Sequence, residues 1–212
     1  MNRFFTVAMG VALSTLALSA SAQKNYTEGL ATYTGSAGGQ TLEAKVYFKG
    51  DSSATVMQQG PANIKVLGFK DEYMAVLVDV PVANIKKAAV ASPGELEDIM
   101  SKLPSFTFTP GTETKQIAGF NCKKVVAKDT KTNTSFDAWV TNDISAPASA
   151  YSQLYAKCGG FPVQFTITQR GQNVTNTLKS ITDTKAPAGT FGIPAGFDKI
   201  TMTDLSAMSG GR

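Results

Sequence analysis

The chain of 212 residues contains no histidine. That absence removes Ser-His and Cys-His nucleophile pairs, histidine-built zinc sites and the commonest general base near neutral pH. Cysteine is nearly missing as well: Cys122 and Cys158 are the only two, too few to build a structural zinc site. Charge is sparse, and the net +4 is scattered rather than gathered. Lys86-Lys87 and Lys123-Lys124 are isolated pairs and no block of five basic residues occurs, so no nucleic-acid-binding surface is expected. Gly-rich phosphate loops and D-x-D-x-D-G calcium loops are absent too, so neither a metal nor a cofactor is expected. Asp79 and Asp137 are the acids most worth weighing as catalytic carboxylates. Neither has an evident partner across a cleft of the kind a glycosidase needs, and no enzyme activity is expected.

Long apolar runs are missing except at the start. Arg3 precedes an apolar stretch from Phe4 to Leu18, and Ala20-Ser21-Ala22 supplies a small-x-small cleavage pattern. The run is short for a bilayer span, which takes about 20 apolar residues. Residues 1–22 are therefore expected to be a cleaved signal peptide, placing the chain in the periplasm or outside the cell with no transmembrane span after processing. What is left once that segment is removed suits one domain. That domain is expected over residues 23–205, with 206–212 as a flexible tail.

Period-two alternation dominates what is present. Leu42, Ala44, Val46 and Phe48 share one face of a strand, and shorter strands follow over Thr55–Gln59 and Ile64–Phe69. Tyr73–Val80 is apolar on both faces, as a strand covered on both sides would be. Asn84–Val90 reads as a helical turn or two. Ser92-Pro93-Gly94-Glu95 matches a capping box with proline in the first turn, and Leu96, Ile99, Met100 and Leu103 then recur at helical spacing up to Pro104. Beyond a turn at Pro110-Gly111, strands are expected over Thr114–Ile117, Phe120–Lys128 and Ser135–Thr141. A weakly patterned helix follows over Ala146–Tyr155. Phe161, Val163, Phe165 and Ile167 share a strand face, and the next strand, Asn173–Ile181, needs a bulge near Lys179-Ser180 to keep its apolar side together. Lys199–Thr203 ends the pattern as a short strand. Some ten strands at this spacing imply one large antiparallel sheet that must curl.

In an exported chain, oxidation is the default fate of two cysteines. A Cys122–Cys158 disulfide is expected ahead of a redox pair, because the two lie far apart in the chain where redox pairs sit close together.

The runs TKQIAGFNCKKVVAK, FDAWVTNDI, GGFPVQF and TFGIPAGFDKITM, in that order, resemble the exported bacterial family known as domain of unknown function 4412. That family is similar in fold to the lipoprotein carrier LolA. The resemblance is loose from Glu43 to Met202 and carries its motifs from Thr114 onward. It implies a mainly β fold with short helices: a strongly curved antiparallel sheet left unclosed as a LolA-like half-barrel, lined with apolar residues and capped by helices. The function this implies is binding of a hydrophobic ligand or lipid moiety in the hollow; the doubly apolar strand and the amphipathic helix offer Tyr73, Val76, Val78, Leu96, Ile99, Met100 and Leu103 as its expected lining. An envelope protein partner, with no small ligand, is the alternative.

Overall fold

The computed structural model describes residues 23–169 and 171–208. The signal-peptide expectation falls on residues 1–22, outside the described residues. Two strands, Lys24–Asn25 (β1) and Glu28–Ala37 (β2), open the described chain, and four more follow as a meander: Gln40–Lys49 (β3), Ser52–Gln59 (β4), Ala62–Phe69 (β5) and Tyr73–Val80 (β6). Ile85–Val90 is β7, Pro93–Lys102 is α1, and Phe106–Ile117 (β8) and Phe120–Asp129 (β9) form a long hairpin. Ser135–Thr141 (β10), Ile144–Ser145 (β11), Phe161–Gln169 (β12), Gln172–Thr182 (β13), Asp198–Ile200 (β14) and Met202–Met208 (α2) complete the order.

Twelve strands join one sheet in the order β14-β7-β6-β5-β4-β3-β2-β13-β12-β10-β9-β8. All neighbours pair antiparallel except β14 on β7. The two ends of the row, β14 and β8, do not pair with each other, so the sheet stays open. Chain connectivity shows that it must curl. β7 and β8 stand ten strand spacings apart in the row, and each spacing in a flat sheet measures about 4.8 Å. The connection between them, residues 91–105, holds only a ten-residue helix and five further residues. A helix rises about 1.5 Å per residue and extended chain spans about 3.5 Å per residue, so this connection falls well short of the flat-sheet separation. Only a strongly curved sheet brings the two wings within its reach.

The inner side of the curve is set by the chain after β10. The Tyr155 ring lies 5.3 Å from Phe106 and 5.7 Å from Phe108 of β8, and 5.0 Å from Phe165 of β12, strands three places apart. Tyr155 donates to the Thr166 carbonyl at 2.5 Å, and Tyr33 donates to the Ala150 carbonyl at 3.2 Å, so residues 144–158 are laid along the hollow as its filling. The main core is accordingly on this inner face. It includes Ala31, Tyr33, Phe48, Val125, Ala138, Val163, Phe165 and Leu178. A second, smaller core lies on the outer face, where Ala54, Leu67, Ala75, Leu77 and Ala88 are covered by Phe191, Ile193 and Phe197 of the loop before β14.

Several expected elements change character. Residues 84–90 are not helical: Pro81–Ala83 makes one 3-10 turn, Asn84 leaves it at φ 51°, and Ile85–Val90 pairs along β6 as a strand. The Ala146–Tyr155 helix is two separate 3-10 turns, Ala148–Ala150 and Gln153–Tyr155. Pro110-Gly111 does not turn the chain back; the register of β8 on β9 shifts between Pro110 and Thr114, and one long strand continues through it. The last strand is shorter and earlier than Lys199–Thr203, because Met202 already begins α2, which takes in three residues of the tail expected from Ser206. The bulge near Lys179-Ser180 is present as a register shift between Leu178 and Ser180.

Candidate functional site

Each strand of the β4–β7 wing turns alternate side chains to opposite faces. The outward set of β6 is Tyr73, Ala75, Leu77 and Asp79, and the inward set is Met74, Val76, Val78 and Val80. Cross-strand register carries the inward set sideways: Val66 is opposite Val76, Ile64 opposite Val78, Met57 opposite Ile64, and Val80 opposite Ile85. These side chains form an apolar strip on the inner face. All are half-buried, and none belongs to either core. The filling at 144–158 meets this wing at the β3–β4 turn, where the Ser149 hydroxyl donates to the Gly50 carbonyl. The only charged side chain that this wing turns inward is Lys87, and it is bound to Asp198 of β14 at 2.9 Å. An uncharged apolar strip left partly exposed on the inner face suits an apolar occupant.

The residues expected to line the hollow are divided by this geometry. Val76 and Val78 lie at the centre of the strip. Tyr73 is a correction: it points to the outer face and packs on the second core, because strand period two separates it from Val76 and Val78. No side chain of α1 is fully buried. Leu96 and Met100 line a shallow groove of about 550 Å³ with Asp71, Glu72 and Ala91, whereas Ile99 faces another, about 520 Å³, shared with Met202 and Thr203 of α2. Leu103 is half-buried at the C-cap, its N–H donating to the Met100 carbonyl. Sequence pattern misses Ile64, Val66, Val80 and Ile85. The signal that finds them is their register opposite Val76 and Val78, which emerges only from pairing.

The expected Cys122–Cys158 bridge is also corrected: both thiols are free and buried. Cys158 lies beside Tyr151 and Tyr155, with its thiol on the Gly160 carbonyl at 3.2 Å; Cys122 lies near Asp143 and Lys115. Burial first of all raises each thiol to about 11, which leaves neither reactive at neutral pH. The weighed carboxylates occupy different wings. Asp137 is bound by Lys124 at 2.8 Å, and the same ammonium reaches Glu113 at 2.8 Å; these two hydrogen bonds lift Lys124 to about 12. Asp79 sits on the outer face of β6, one of its oxygens buried without a hydrogen-bond partner. Among the described residues no group of three or more His, Cys, Asp or Glu side chains could hold a metal ion. No helix among them is long and apolar enough to cross a membrane.

The fold class is thus a mainly β one: one large, curved, open, predominantly antiparallel sheet with, among the described residues, two short α-helices. Residues 105–197 match the family described as domain of unknown function (DUF4412), so the resemblance carried by the motifs from Thr114 onward holds over β8–β13 and the following loop. No curated protein matches the chain. Among solved structures, one described as PNGF-II is 14% identical with a TM-score of 0.52, over 86% of this chain and 33% of that one. This chain therefore spans about a third of that protein's length, and the likeness is one of fold. A DUF1329 family protein from Desulfovibrio piger is 11% identical over 77% of this chain and 88% of that one, with a TM-score of 0.35. MucB, solved in complex with MucA(peri), is 12% identical over 83% and 56%, with a TM-score of 0.36.

Proposed function

We propose that this chain is a non-enzymatic, exported binding module that takes an apolar ligand or lipid moiety on the inner strip of β4–β7. The observation that carries the reading is that strip: paired aliphatic side chains, partly exposed on the inner face, beside the main core. Folding ordinarily removes such surface from water at about 25 cal/mol per Å² of apolar area, so leaving it uncovered costs stability that an occupant would restore. The outer face of the same wing, by contrast, is covered by Phe191, Ile193 and Phe197. The strip offers no charged group to fix a headgroup, since Lys87 is engaged with Asp198, so selectivity would come from shape and apolar area.

Native mass spectrometry and lipid extraction of protein purified from its own host test this directly. A co-purifying apolar molecule is expected, lost in Val76→Asp and Val78→Asp while the main core remains folded. Protein that comes out clean and fails to bind a long-chain fatty acid probe, or binds it equally well in Val76→Asp, would overturn the reading. If the aspartate variants instead lose an envelope protein from a pull-down, the strip serves a protein partner with no small ligand.

A further inference from the structure

The edge of the β4–β7 wing is closed by an element unlike the rest of the sheet. β14 has three residues, pairs parallel in an otherwise antiparallel row, and continues into α2. No residue of β14 or α2 is buried. Parallel pairing is somewhat weaker per residue than antiparallel pairing. Beyond its backbone pairing with β7, this strap of residues 198–208 is anchored by two polar contacts, one at each end. Asp198 meets Lys87 at 2.9 Å. At the other end, one Glu95 oxygen accepts from the backbone N–H and hydroxyl of Thr203 at 3.0 and 2.9 Å, while the second accepts from the N–H and hydroxyl of Ser92, both at 2.9 Å. One carboxylate therefore caps α1 and pins the first turn of α2.

We infer that the β7 edge is a strand-acceptor site, held closed by this strap as a placeholder, for an extended partner segment with an acidic residue two places before an aliphatic one. The strap itself defines that chemistry. Asp198 is in register with Lys87, Lys199 with Ala88, and Ile200 with Ala89, so a parallel acid-x-aliphatic strand reproduces the charge pair and the apolar contact. The small side chains Ala88 and Ala89 let such a strand approach closely. Main-chain hydrogen bonds supply affinity and the Lys87 ammonium supplies selectivity, as in other cases of strand addition. This surface is the wing's edge, independent of any ligand in the concavity.

The test uses the full chain carrying Glu95→Gln with Asp198→Asn, which weakens both anchors. Hydrogen exchange at Ala88 and Val90, the β7 amides turned away from β6 toward β14, should speed up at least tenfold, while β2 and β13 amides keep their wild-type protection. A labelled peptide of residues 196–203 should then bind the variant at least tenfold more tightly than the wild type, and the same peptide with Asp198→Lys should not bind. Unchanged β7 exchange overturns the inference, and so does loss of protection spreading to β2 and β13, since the strap would then be integral to folding. Freed β7 amides without peptide binding, or binding indifferent to the Asp198→Lys change, overturn it as well.

Discussion

Gly29 sits where β2 is pressed against the Thr182 carbonyl at the end of β13. A Cβ built there would overlap the Thr182 carbonyl oxygen and stand 2.9 Å from the Phe48 ring, so the seam between β2 and β13 has room for hydrogen alone. Gly29→Ala is expected to destabilise the protein by about 1–3 kcal/mol, the range for overpacking a filled site, read as a lower denaturation midpoint in urea. Ala118 offers the opposite opportunity. With Gly119 it makes the two-residue turn of the β8–β9 hairpin, at φ 51° and φ 84° respectively. Both values are positive, a region where the Cβ of an L-residue is strained. Ala118→Gly should therefore stabilise by up to about 1 kcal/mol, relief of the left-handed penalty offset partly by added freedom in the unfolded chain. No rise in the midpoint would mean the strain is absorbed elsewhere. The turn itself is legible from Ile117-Ala118-Gly119-Phe120; the fate of the thiols is not. Compartment and spacing favour a bridge, but only packing decides whether two cysteines point at each other. Free thiols buried in this way should resist a bulky thiol reagent in the native protein and titrate as two per chain once it is denatured without reductant. A count of zero would mean they are bonded.

At the scale of elements, α1 shows how a local sequence code can be read correctly while its neighbours remain hidden. Ser92-Pro93-Gly94-Glu95 forms the capping box its letters specify. Nothing in those letters says that the free oxygen of Glu95 will seize Thr203, 108 residues onward. The Ser92 N–H, then Thr203 and the two hydroxyls, stabilise the charged form and draw Glu95 down from 4.5 to about 2. A carboxyl lowered on folding adds stability above its unfolded value near 4.5, and that stability is lost as pH falls through the folded value. Acid should therefore release α2 across that window. In Glu95→Gln the helical signal assigned to 202–208 should be weakened already at neutral pH and respond less to acid, what response is left coming from Asp204, which the Thr201 N–H holds below the usual carboxylate range. A wild-type and variant pair with identical acid transitions would contradict this. β7 illustrates the converse failure. Asn84–Val90 carries adjacent alanines, which suit a helix, and its strand state comes from pairing along β6, a tertiary preference that no local window contains.

Across the whole molecule, the sheet and its curvature follow from strand count and alternation, which the sequence displays openly. The division of labour between its faces does not. Tyr73–Val80 is apolar on both sides, and that much is visible; which side is capped by the 187–197 loop and which left open depends on where a segment far along the chain comes to rest. That is why Val76 and Val78 can be named from the sequence while their companions Ile64, Val66, Val80 and Ile85 cannot. It is also why Tyr73 reads as one of them: a run apolar throughout hides the period-two boundary between the faces.

The strand order also has a consequence in time. β2–β7 is a meander whose every pairing joins strands adjacent in sequence, so each hairpin can close as soon as it exists. The seam of β2 with β13 must wait for residues 172–182, and closing so long a loop is slow. We therefore expect an emerging chain to assemble one wing early and to hold it unsealed, with Gly29 and Tyr33 lacking their neighbours, until the last third arrives. Pulse-labelled exchange during refolding should show amides of β4–β6 protected before those of β13. Simultaneous protection throughout would show instead that the two wings fold only together.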